Sequence, residues 1–122
     1  AAAFYQAVKE MRRLLAIQGA TFDCENIGIG DLYVTVYGGR TRKIGILLGE
    51  GKTYEEAMDI LAGVTLESLV VARRVAKAIY RKAELGQVDL KDFPMLVHVE
   101  NILAKGGDAQ HPWEAYTFEN LD

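Results

Sequence analysis

Apolar residues recur with a helical period along most of the chain. Phe4, Val8, Met11 and Leu15 fall on one face of residues 4–18, with Lys9, Arg12 and Arg13 elsewhere, which predicts an amphipathic helix stopped by Gly19. Residues 28–37 are less clear. Val34, Thr35, Val36 and Tyr37 favour a strand, but no second good strand exists to pair with them, and an isolated strand leaves its backbone unsatisfied. The expectation is a short buried helix starting near Gly30 or Asp31, where a carboxylate accepts from free N–H groups.

A second short helix is expected over 42–48, ended by Gly49 or Gly51. Thr53-Tyr-Glu-Glu56 reads as a capping box, with Thr53 as the cap and Glu56 reaching back. It opens a helix that turns Ala57, Ile60 and Leu61 inward and stops near Gly63. The longest helix is expected over 67–85, with Val71, Val75, Ala78 and Ile79 as its stripe and Gly86 as its end. Phe93-Pro94 starts another, running through Val97, Ile102 and Leu103 to Gly106-Gly107, because proline is tolerated in a first turn. His111-Pro112-Trp113 starts a last short helix, which Trp113, Tyr116 and Phe118 clamp to the body. The expected fold class is all-α, as a single compact multi-helix domain over 1–122.

Composition narrows the function. Half of the 122 residues are hydrophobic, enough for one real core. A net charge of -3 gives no reason to expect nucleic acid or an acidic membrane surface as a partner. No apolar run reaches the ~18 residues of a membrane span, and a cytoplasmic setting is expected. The single cysteine, Cys24, excludes an internal disulfide and reads as an ordinary packed thiol. Two lone histidines, His98 and His111, make a poor metal site, so no metal is expected: His98 reads as half-buried and structural, His111 as a cap or surface residue. Arg73, Arg74 and Lys77 read as a solvated helix face.

The stretch that carries chemistry is GIGDLYVTVYGGRTRK, residues 28–43. Arg40, Arg42 and Lys43 have no acidic residue near them from Leu32 to Leu48. They stand at a helix start, where cations are unfavourable unless an anion offsets them. They also follow Gly38-Gly39, which lets a backbone approach a ligand closely. Arginine binds phosphate in bidentate fashion and threonine adds a hydroxyl. A solvated face and a plain helix-helix turn stand as the alternative to a small anion site at Gly39-Arg40-Thr41. Asp31 and Thr35, four apart, share one helical face beside it.

As a string, GIGDLYVTVYGGRTRK resembles the signature of the C-terminal domain of NAD(P)-dependent glycerol-3-phosphate dehydrogenases, related in fold to that of 6-phosphogluconate dehydrogenases. The segments AAAFYQAVKEM, GEGKTYEEA, TLESLVVARRV, FPMLVHVENIL and KGGDAQHPWEA resemble further family segments, in the same order. The resemblance implies reversible hydride transfer between sn-glycerol 3-phosphate and dihydroxyacetone phosphate, with NAD or NADP held mainly by an N-terminal Rossmann domain. It implies that Asp31 orients the catalytic lysine and the substrate's polar groups, and that Thr35 faces the same pocket. It assigns Gly39, Arg40 and Thr41 to the substrate phosphate, and Arg40, Thr65 and Glu67 to the cofactor.

Thr41 stands where the family usually has asparagine, which shortens the reach to phosphate. The family's lysine and Gly-x-Gly-x-x-Gly motif lie upstream of the helix that opens this chain. The expectation is therefore half of an enzyme, inactive alone, with apolar surface left by the missing Rossmann domain and a tendency to self-associate as a possible homodimer. The competing reading is a non-catalytic helical interaction or assembly module derived from this domain.

Overall fold

The computed structural model describes residues 1–23 and 25–116. Cys24 and Phe118, expected as a packed thiol and a clamp, lie outside the described residues. Among the described residues six α-helices follow one another: α1 Ala2–Ile17, α2 Glu25–Tyr37, α3 Arg40–Gly49, α4 Tyr54–Ile60, α5 Glu67–Glu84 and α6 Pro94–Lys105. Single 3-10 turns occupy Leu90–Asp92 and Trp113–Ala115. The domain is all-α, and no strand occurs among the described residues.

Two patches of core hold it together. Ile44 of α3, Ala57 of α4, Leu66 and Leu69 at the start of α5 and Leu103 of α6 form one cluster. Farther along, Ala76 and Ile79 of α5, Phe93 just ahead of α6, Ile102 of α6 and Val8 of α1 are buried. Helix α5 packs most extensively on α6, and α1 closes over α6. The capping box forms as expected: Glu56 N–H donates to Thr53 Oγ1 at 3.1 Å, and Thr53 N–H donates to Glu56 Oε2 at 2.8 Å.

Three expectations are corrected. Helix α2 starts at Glu25, not at Gly30 or Asp31. Asp23 Oδ1 accepts from Glu25 N–H at 2.9 Å, and Arg12 Nε pairs with Glu25 Oε1 at 2.7 Å, so the start is set by the lead-in and by α1. Gly28, ahead of the expected start, lies inside the helix, where a Cβ would run into the Met11 thioether; the missing side chain lets α2 approach α1. Second, α2 is not buried: none of its residues is, and Ile27, Val34 and Tyr37 are 75%, 69% and 74% exposed. It packs mainly on α1 and α3. Third, the buried stripe of α5 is Leu69, Ala76 and Ile79, while Val71 and Ala78 face solvent. In α4, likewise, Ile60 points outward.

The chain exposes 8664 Å². A compact 13.5 kDa monomer exposes about 6,500 Å², so this surface is about a third larger than folding into one compact body leaves.

Candidate functional site

Helices α3 and α5 meet at their N-termini. Gly39 precedes α3 with φ 103° and ψ 163°, a backbone region essentially reserved for glycine. That geometry turns the chain sharply out of α2 and lets α3 start at Arg40, two residues earlier than expected. Gly39 offers no side chain to cap α3, and Leu66, whose side chain is in the core, offers none to cap α5. The leading N–H groups of both helices therefore lack a side-chain acceptor, and both ends carry partial positive charge.

These two ends border one open depression of about 240 Å³, lined by Arg40, Thr41, Thr65, Leu66, Glu67 and Ser68. Arg40 Nη1 donates to the Thr65 carbonyl at 3.4 Å, a long bond that holds the guanidinium over the α5 end while leaving most of its donors unused. The Thr41 and Ser68 hydroxyls are 2.6 Å apart, so one donates to the other. Among the described residues no carboxylate pairs with Arg40, Arg42 or Lys43, whereas Arg12 pairs with Glu25, Arg13 with Asp92 and Arg73 with Glu100. Glu67 is the acidic residue at the rim.

A second depression of about 410 Å³ lies between α2 and α3, lined by Leu32, Thr35, Val36, Thr41, Arg42, Gly45 and Ile46. Thr41 is the wall common to both. The structure thus brings Arg40, Thr41, Thr65 and Glu67 together and sets Thr35 across Thr41 from them. Asp31 lies one turn before Thr35 on the exposed α2 and borders neither depression. Ser68 was missed by sequence reasoning: its only signal was a hydroxyl next to Glu67, and its contact with Thr41 spans 27 residues.

At the opposite end of α6, aromatic rings gather. His98 and His111 have ring centroids 5.5 Å apart, Trp113 lies 4.8 Å from His111, and His111 Nδ1 is 2.7 Å from the Tyr116 hydroxyl. His111 is therefore a clamp residue and not a cap. Burial and then the nearby His98 hold its pKa below the ordinary 6.5. Burial, and then the Glu10 charge, push the Tyr116 hydroxyl above its ordinary 10.0. Among the described residues, no three His, Cys, Asp or Glu side chains converge to hold a metal, and no helix is long and apolar enough to cross a membrane.

The profile of the family described as NAD-dependent glycerol-3-phosphate dehydrogenase C-terminus matches residues 1–114. A glycerol-3-phosphate dehydrogenase [NAD(P)+] of Thermoanaerobacter sp. (strain X514) is 32% identical over 90 residues, covering 72% of this chain and 24% of that protein. The chain thus spans about a quarter of the length of the curated relative it matches. No solved structure matches the chain significantly.

Proposed function

Because this chain belongs to the family of C-terminal domains of NAD-dependent glycerol-3-phosphate dehydrogenases, we propose that it is the substrate-binding part of an enzyme interconverting sn-glycerol 3-phosphate and dihydroxyacetone phosphate. The observation that carries the reading is the α3–α5 depression. Two uncapped helix ends, an arginine with no carboxylate partner and a hydroxyl pair meet there, and a phosphate is the group that uses all of them at once. Its size, about 240 Å³, suits a phosphate and part of a three-carbon chain.

In this reading Arg40 forks onto two phosphate oxygens and Thr41 donates to a third. Thr35, on the far side of Thr41, faces the carbon end of the substrate. Asp31 acts from the α2 surface on a lysine supplied from outside this chain, holding that ammonium where it exchanges a proton with the substrate's C2 oxygen. When bound, the nicotinamide nucleotide supplies or accepts the hydride. The residues present fit only an edge of such a cofactor: Arg40, Thr65 and Glu67 line a space far smaller than a dinucleotide. The rest of the nucleotide needs another domain, and the apolar face of α2, beside Asp31 and Thr35, is where that domain docks. The exposed Ile27, Val34 and Tyr37 of α2 support a covering partner of this kind.

The test is an assay of the full-length gene product for NADH- or NADPH-dependent reduction of dihydroxyacetone phosphate. Activity is expected, and Asp31→Asn is expected to lower kcat with KM little changed. No activity with either cofactor would sink the reading. An Asp31→Asn effect confined to KM would remove Asp31 from the proton-transfer role.

A further inference from the structure

We propose that Ser68 is a positioning residue for phosphate recognition, acting through Thr41. This rests on the α3–α5 depression being the phosphate site. The Thr41 Oγ1 to Ser68 Oγ distance of 2.6 Å is short for a pair of neutral hydroxyls, and the contact joins the first turn of α3 to the first turn of α5.

Two hydroxyls in contact hold two protons between them. One lies in the bond that joins them, so the pair offers one outward O–H. In the proposed arrangement Ser68 donates to Thr41, so the outward proton is that of the Thr41 hydroxyl and is aimed at the phosphate, which accepts. Thr41 alone is a poor substitute for a longer amide donor. Its side chain rotates among staggered positions, and it borders two depressions, only one of them on the Arg40 side. Ser68 fixes the hydroxyl toward the α5 end, beside Arg40, and so compensates for the short reach of threonine. The Arg40 bond to the Thr65 carbonyl ties the same two helix ends together, so the hydroxyl and the guanidinium face one space before any ligand arrives. Ser68 is exposed and outside the core, so replacing it changes this contact and leaves the packing untouched.

The experiment is steady-state kinetics on the full-length gene product with dihydroxyacetone phosphate as the varied substrate, for wild type, Ser68→Ala, Ser68→Thr, Thr41→Val and the double variant Ser68→Ala/Thr41→Val. Loss of one neutral hydrogen bond predicts a KM about 3- to 10-fold higher for Ser68→Ala, with the effect in KM rather than kcat. Ser68→Thr, which keeps the hydroxyl, restores KM to within about twofold, and the double variant is no worse than Thr41→Val alone because the two residues act as one unit. A wild-type KM in Ser68→Ala, or independent additive losses in the double variant, would overturn the role of Ser68 while leaving the proposed function standing. A wild-type protein that neither reduces dihydroxyacetone phosphate nor binds glycerol 3-phosphate by calorimetry would overturn the proposed function itself, and this inference with it.

Discussion

Removing the carboxylate of Glu10 should destabilise the domain more than any surface substitution. Helix α6 begins with Pro94 behind Phe93, and Phe93 has no side chain able to cap it. The cap comes instead from α1. Glu10 Oε1 accepts from Met95 N–H at 2.7 Å, and Oε2 accepts from Leu96 N–H at 2.9 Å. Gln6 Nε2 also donates to Oε1, at 2.7 Å. Glu10 is only 4% exposed, so water does not replace it. A hydrogen bond to a charged group contributes about 1.5–3 kcal/mol, and an unsatisfied buried donor costs about 1–3 kcal/mol. Allowing for overlap between the three bonds, Glu10→Ala should lower stability by about 3–5 kcal/mol, a large part of the roughly 5–15 kcal/mol of a typical domain. Glu10→Gln keeps one acceptor oxygen but sets an NH2 group against a backbone N–H, and should cost about 1.5–3 kcal/mol. Urea unfolding followed by far-UV circular dichroism gives both values. A Glu10→Ala protein within about 1 kcal/mol of wild type, or a glutamine variant worse than the alanine one, would refute the capping argument.

Two further outcomes follow from local geometry. Gly39→Ala places a Cβ in open space but at φ 103°, so backbone strain of about 1–3 kcal/mol acts on the start of α3; unfolding midpoints measure it, and an unchanged midpoint would show that the turn tolerates a side chain. The His111–Tyr116 clamp should be tightest between the ordinary pKa values of the two groups, 6.5 and 10.0. The His111 pKa is depressed in the folded state, so its contribution is present above 6.5 and is lost as pH falls through the lowered value. The Tyr116 pKa is raised, so its contribution is present below 10.0 and is lost as pH climbs through the raised value. Trp113, the single tryptophan, sits 4.8 Å from His111, so its emission should change at both edges of that window; emission constant across both would contradict the clamp.

What could be read from the sequence was what is decided locally. The Thr53–Glu56 box and the start at Pro94 depend on residues three or fewer apart, and both form where expected. The start of α2 depends in part on Arg12 and Met11, residues on another helix, so the local pattern places it at Gly30 or Asp31 instead of Glu25. The α5 stripe was misread because valines at 70 and 71 carry the same apolar signal as the true inward set, and only the position of α6 decides which side is covered. In the site, Arg40 and Thr41 follow from the Gly-Gly-Arg-Thr pattern itself and Thr65 and Glu67 from the family resemblance alone, and the fold gathers all four around one depression. Ser68 and Glu10 carried no such signal: each acts on a partner far away in sequence, 27 and 85 residues respectively.

The central claim is that the space between the α3 and α5 helix ends holds the substrate phosphate through Arg40. Calorimetric titration of glycerol 3-phosphate into the full-length gene product, wild type against Arg40→Ala at matched salt, tests it most directly. Once the site is closed off from water, loss of the guanidinium should weaken binding by roughly 2–5 kcal/mol, on the order of thirty- to several-thousand-fold. An Arg40→Ala protein that binds glycerol 3-phosphate as tightly as wild type would contradict it.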